Sequence, residues 1–265
     1  KAADVGVAMG ITGTEVSKNA ADMVITDDNF ATIVDAIAVG RASYDNIRKT
    51  IAFLLSVNFA EIFILLAGML VVGVSPLLAL QILLINVVSD GIPGFFMAFE
   101  KPEPGVMSRK PLAKDAGIFA AGLGRSIMRG AVSFSVLTLG AFLLGTYVLP
   151  APYGFVASPN GAHFGIGITM AFVVLSWASV INIFNVRSSL SVFELNPMSN
   201  RGMFFAACGT ILFTLFVALV PPVAEVFGVE TGLRVWHWAV MVLFAVAQLG
   251  VGEAHKWMVR RRGIK

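Results

Sequence analysis

Leu54-Leu55-Ser56-Val57-Asn58-Phe59-Ala60-Glu61-Ile62-Phe63-Ile64-Leu65-Leu66 is an apolar run with an acid inside it. A second run, Ile82-Leu83-Leu84-Ile85-Asn86-Val87-Val88-Ser89-Asp90-Gly91-Ile92-Pro93-Gly94, repeats the arrangement. Each lies within a longer apolar stretch, about 50–73 and about 76–98, and a bilayer core of about 30 Å needs about 20 helical residues. Only Val74-Ser75 separates the two stretches, so they are read as antiparallel neighbours. Four more stretches, about 127–149, 166–185, 203–222 and 236–253, have the same character. The fold expected for residues 41–265 is therefore an all-α polytopic membrane domain of six transmembrane helices.

Composition agrees. Of 265 residues, 57% are hydrophobic and 13% charged, and the mean hydropathy is +0.83. An ordinary soluble domain is about 45–50% apolar and about 25% charged, so this chain has too few polar residues to cover a water-facing surface. Disorder, a collagen-like fibre and a disulfide scaffold are excluded too, since Cys208 has no pairing partner. The net charge of +3 would weakly suggest nucleic acid in a soluble chain. Here the basic residues sort by loop. With a cytosolic N-terminus, every Lys and Arg except Arg234 falls at or near the cytosolic side. The positive-inside rule then sets both termini in the cytosol, and no nucleic-acid partner is expected. Trp236, Trp238 and Trp257 sit at span ends as interfacial anchors do, and Arg260-Arg261-Arg262 reads as a topology signal and a contact for anionic membrane lipid. No signal-peptide pattern and no N-x-S/T sequon is present.

Residues 1–40 read differently. Asp4-Val5-Gly6-Val7-Ala8-Met9 is a short strand, Thr14 to Ala21 a helix, and Met23-Val24-Ile25 a second strand, with Asp28 or Asn29 capping a helix from about Phe30. Strand, helix, strand, helix is the order of a parallel α/β layer. Two strands and a helix cannot close a core, so the segment is expected to be the tail of a larger cytosolic domain. Gly10 and Gly13 precede a helix; a strand-to-helix turn is a better reading than a phosphate loop, because the G-x4-G-K-[ST] pattern is missing. From Phe30 the helical pattern continues into the first apolar stretch without a breaker, a mechanical link between compartments. The Pro-rich segment Lys101 to Pro111 is expected to be a stiff, non-helical cytosolic loop.

Glu61 and Asp90 are costly inside a membrane, and neither stands alone. Asn58 and Glu61 share one helix face; Asn86, Ser89 and Asp90 share another. Together they make an all-oxygen cluster, the ligand set of a hard cation; no His or Cys lies nearby to suggest zinc or copper. Pro93 and its flanking glycines are expected to break the helix and free carbonyls beside Asp90. The alternative is a buried hydrogen-bonded pair that joins two helices. Ser179 and Asn182 share a face with Asn185 and are candidates for an ion path or for inter-helix contact. His163, His237 and His255 show no ligand spacing.

These motifs carry a resemblance. Ala3 to Gly10, Gly13-Thr14-Glu15-Val16 and Ala20-Ala21-Asp22-Met23-Val24 resemble the end of the HAD-like phosphorylation domain of P-type ATPases. Asn58-x-x-Glu61 and Asn86-x-x-Ser89-Asp90-Gly91-x-Pro93 resemble the fifth and sixth membrane helices of that family's calcium pumps, and Met107-Ser108-Arg109-Lys110-Pro111 the loop that follows. The resemblance implies an α/β remnant at 1–40 followed by the last six helices of a ten-helix pump. It implies that Asn58 and Glu61 serve one cation site, Asn86 a second, and Ser89 and Asp90 both. Ca²⁺ would be the transported ion, with Mg²⁺ and ATP used by the complete pump. The phosphorylated Asp, the nucleotide and actuator domains and the fourth helix would come from the missing N-terminal part of the same pump, so no catalytic residue is expected here. Calcium pumps similar in these helices carry a further Glu at the position of Ser179, and its replacement implies a weaker first site or one Ca²⁺ per cycle. The plasma membrane is the expected location, and proton counter-transport is expected once the acids release their ion. Na⁺, K⁺ and Mn²⁺ are alternative cargoes. A free-standing six-helix channel or secondary transporter is the competing class, against which stand the absence of an inverted repeat and the orphan α/β segment.

Overall fold

The computed structural model describes residues 4–111, 117, 119, 122–149 and 163–261. Ala3 of the first strand motif, Lys114 of the basic cytosolic set and Arg262 of the basic tail lie outside them. The chain forms two compact units, residues 1–45 with 101–112, and residues 46–100 with 113–265.

In the first unit, strands β1 (Val7–Met9) and β2 (Met23–Ile25) pair in parallel, Val7 opposite Met23 and Met9 opposite Ile25, with α1 (Glu15–Ala20) between them in the chain. Thr14 caps α1, its hydroxyl accepting from the Ser17 N–H at 3.2 Å. A Cβ at Gly13 would lie 2.0 Å from the Met9 carbonyl oxygen. Close backbone approach therefore accounts for this glycine, as a strand-to-helix turn requires. Asp28, at φ 50, lies in the left-handed region. Its carboxylate accepts from the Ile11 N–H at 2.9 Å, the Thr12 N–H at 2.7 Å and the Thr12 hydroxyl at 2.7 Å. These donors, the Ile11 amide first, hold its carboxyl down to about 2 from an ordinary 3.8. Asn29 accepts from the Ala31 N–H at 3.0 Å and so opens α2 (Ala31–Ala67). Within the same unit the Arg41 guanidinium donates to the carbonyls of Val106 at 3.2 Å and Arg109 at 3.0 Å, and Arg109 pairs with Asp45. The Pro-rich loop is thus fastened by its own backbone, which its prolines keep out of a helix.

Among the described residues six helical runs are long and apolar enough to cross a bilayer: Ala31–Val72, Ala79–Met97, Leu123–Val148, Phe164–Val186, Arg201–Leu219 and Val235–Arg261. The six-helix reading of the fold holds. In chain order the second run is α3 (Ala79–Leu84), a wide π-wound segment at Ile85–Gly91, and α4 (Ile92–Met97). The others contain α5 (Leu123–Leu143), α6 (Phe164–Val186), α7 (Arg201–Leu219) and α9 (Val235–Arg261), with a short α8 (Pro221–Phe227) before the last. Helix α6 is buried nearly all round and packs on α5, α7 and α9, the position a helix apolar on every face takes. The outer helices leave Leu70, Val136, Leu212 and Leu243 exposed, as lipid-facing positions do.

The expected break at Pro93 is not formed. The chain stays helical but winds wide from Ile85 to Gly91, and Pro93 sits in the first turn of α4. Pro93 cannot donate to the turn behind it. One carbonyl of that turn, Val88, accepts instead from the Thr210 hydroxyl of α7 at 3.3 Å. Widening the helix lets a proline be absorbed without unwinding, and π-wound turns are frequent at functional sites.

Candidate cation site

All five intramembrane ligand candidates lie in the second unit, on α2 and the π-wound segment, which carries Asn86, Ser89 and Asp90 through one widened turn. Glu61 is buried, 5% exposed, and Asp90 is fully enclosed. The Asn86 side-chain nitrogen donates to both oxygens of Glu61, at 3.1 and 3.0 Å, and to the Ile82 carbonyl at 3.0 Å. Asp90 has no hydrogen-bond partner on either carboxylate oxygen among the described residues. The side chains that act on it are the Ser179 hydroxyl and the Glu61 carboxylate. Ser179 donates to the Ser176 carbonyl at 3.0 Å, so its single proton is spent away from the acid. Asn58 is half-buried, three residues before Glu61 on α2.

Among the described residues neither acid enters an ion pair, and no three His, Cys, Asp or Glu side chains gather as a metal cage. Two buried carboxylates, neither with a cationic partner among the described residues, form a site short of positive charge. Burying an unpaired carboxylate is expensive; a hard cation among these oxygens supplies the missing charge.

The geometry links Glu61 to Asn86. Ser89 turns toward α6, its hydroxyl 2.7 Å from that of Ser176. Asn182 is engaged elsewhere. Its side-chain oxygen faces Gln248 of α9 and Asn185, each at 3.5 Å, the inter-helix contact weighed above against an ion path. Sequence reasoning passed over Ser176, Thr210, Thr214 and Gln248. A signal existed, since Ser176 is one turn before Ser179 and Thr210 and Thr214 share a face at i,i+4, but isolated hydroxyls in apolar helices carry little information until their partners are known. After α4 and α6 the Arg187 guanidinium and the Glu100 carboxylate form a buried ion pair at 3.6 Å, with Asn200 donating to the same Glu100 oxygen at 3.3 Å.

Comparison with known proteins agrees with this architecture. Residues 74–258 match the family described as cation transporting ATPase, C-terminus. A calcium-transporting ATPase of Bacillus subtilis is 40% identical over 227 residues, covering 86% of this chain and 24% of that protein. Calcium-transporting ATPase 1 of Bacillus cereus is 38% identical over 264 residues, 97% of this chain and 29% of the other. Human calcium-transporting ATPase type 2C member 1 is 34% identical over 232 residues, 87% and 24%. The chain spans 24–29% of the length of these relatives.

Proposed function

The chain belongs to the cation-transporting ATPases, as their C-terminal region and an integral membrane protein, and from that premise we propose that it is the ion-carrying membrane part of an ATP-driven P-type pump that exports Ca²⁺. The observation that carries the reading is the buried Asp90 carboxylate with both oxygens unpartnered, beside a Glu61 whose hydrogen-bond donor is a neutral amide. Asn58, Glu61, Asn86, Ser89 and Asp90 hold the cargo ion, which enters as substrate. Ser179 lies on the ion path, while Asn182 serves the contact between α6 and α9. The relatives' names point to Ca²⁺ among the hard cations.

The rest of the pump supplies what these residues lack. ATP and Mg²⁺ act at its phosphorylated Asp, and the resulting movement reaches Glu61 along α2. Shifting Glu61 against Asp90 alters how the two acids hold the ion and so switches access between the two sides. Protons neutralise the acids on the return step. Both termini face the cytosol, the membrane is the cell's plasma membrane, and the lipid-facing helices and basic tail contact its lipid.

ATP-driven uptake of labelled Ca²⁺ into inverted membrane vesicles containing the whole pump tests this reading. Glu61→Gln and Asp90→Asn are each expected to abolish uptake. Retention of uptake by both variants would show that the ion passes elsewhere.

A further inference from the structure

Ser89 does not stand alone. Its hydroxyl lies 2.7 Å from that of Ser176 on α6, which lies 3.0 Å from that of Thr214 on α7, and Thr214 donates to the Thr210 carbonyl at 2.9 Å. All three side chains are fully enclosed. The row therefore holds three hydroxyl protons for three bonds, and it ends on a carbonyl that can only accept. One orientation makes all three bonds. Thr214 gives its proton to the carbonyl and must accept from Ser176; Ser176, its proton spent, must accept from Ser89. The Ser89 proton is thereby turned toward α6, and both lone pairs of its oxygen are left without a donor. Each donation also polarises the next hydroxyl, which leaves the Ser89 oxygen richer in electrons. A hard cation needs an oxygen in that state.

We propose that Ser176 and Thr214 are positioning residues for the transported cation: they fix the Ser89 hydroxyl as a lone-pair ligand facing the ion. The proposal rests on the cation reading of Glu61 and Asp90 above and deepens it. It predicts a defect in ion affinity with little change in maximal rate, because the two residues act through one ligand and touch no ion themselves.

The test uses the whole pump in vesicles and follows ATP-driven Ca²⁺ uptake against free Ca²⁺. Thr214→Val keeps the shape and removes the hydroxyl; Ser176→Ala removes the acceptor for Ser89. Both are expected to raise the half-saturating Ca²⁺ concentration about three- to tenfold, the worth of one hydrogen bond, with the maximal rate within about twofold of the parent. Thr214→Ser restores the donor and is expected to behave as the parent. In a Ser89→Ala background, Thr214→Val is expected to add nothing further. Unchanged half-saturation in both Thr214→Val and Ser176→Ala, or a Thr214→Val effect undiminished by Ser89→Ala, would overturn the positioning role. Glu61→Gln, measured alongside, separates the two ideas. If it leaves Ca²⁺ dependence intact, the cation site itself fails; if it abolishes uptake while the hydroxyl variants do nothing, only the positioning role falls.

Discussion

The Asn86 amide nitrogen lies 3.1 and 3.0 Å from the two oxygens of Glu61, joining α2 to the π-wound segment by a single neutral group. Asn86 has two protons for three acceptors, since the Ile82 carbonyl competes at 3.0 Å, so the contact to Glu61 is shared and can loosen when an ion arrives. Asn86→Leu removes this donor at similar volume. It also removes the side-chain oxygen proposed above as a ligand, and loss of an oxygen ligand is expected to raise the half-saturating Ca²⁺ concentration for uptake by the whole pump. Normal Ca²⁺ dependence in this variant would mean that Asn86 serves only to hold the two helices together.

The Arg187–Glu100 pair ties the end of α6 to the residues after α4. Their side chains are 2% and 7% exposed, and Arg187 also donates to the carbonyls of Asn196 at 3.2 Å and Pro197 at 3.4 Å. Removing one partner of a buried pair typically costs about 3–5 kcal/mol. Arg187→Met is therefore expected to lower the thermal midpoint in detergent, and Glu100→Gln in the same molecule to recover part of the loss. A midpoint unaffected by Arg187→Met would show that the pair contributes nothing to stability.

Two glycines separate close packing from helix propensity. A Cβ on Gly167 of α6 would meet the Thr146 hydroxyl at 2.0 Å and the Phe142 carbonyl at 2.7 Å, whereas one on Gly209 of α7 meets nothing within 4 Å. Gly167→Ala is expected to destabilise by about 1–3 kcal/mol through overpacking. Gly209→Ala is expected to be neutral or to stabilise by up to about 1 kcal/mol. Equal midpoints for the two variants would contradict the packing of α5 on α6 described above.

Asp28 sets a pH dependence in the first unit. Its carboxyl is held at about 2, below its ordinary 3.8, by donors in residues 11 and 12. A depressed folded-state value stabilises the fold above the unfolded value, and the stabilisation is lost as pH falls through the folded one. Hydrogen exchange at the Ile11 and Thr12 amides, corrected for the intrinsic rate, should therefore be slow above about pH 4 and quicken toward pH 2. In Asp28→Ala it should be fast throughout. Equal exchange in the two proteins at pH 7 would show that the carboxylate does not hold this turn.

Much of this was legible in the sequence for identifiable reasons. Apolar length alone revealed the six spans, because no other environment tolerates so few charges, and the polar groups of the first two spans do meet, at Asn86 and Glu61, although Ser89 turns to α6 instead. Residue chemistry narrowed the helix caps to neighbouring polar residues, and the structure selects Thr14 for α1 and Asn29 for α2. The winding around Asp90 was not legible: Gly91 and Pro93 suit a broken helix as well as a widened one, and the outcome depends on Thr210, over a hundred residues away, reaching the Val88 carbonyl. Nor was the Ser89–Ser176–Thr214 row, since its meaning lies in proton direction across three helices rather than in any local pattern. Helix ends moved with the same logic. Apolar windows stop where composition turns polar, while α9 keeps its hydrogen bonds as far as Arg261.

The most direct test of the central claim is phosphorylation of the whole protein in native membranes by radiolabelled ATP, with Ca²⁺ or with a chelator, resolved on an acid gel and detected with an antibody to this chain. The account predicts a labelled band far larger than 28.2 kDa that requires Ca²⁺ and that loses its Ca²⁺ requirement or its label in Glu61→Gln and Asp90→Asn. Labelling that ignores Ca²⁺ in the parent protein, or a Ca²⁺ response unchanged in both variants, would contradict it.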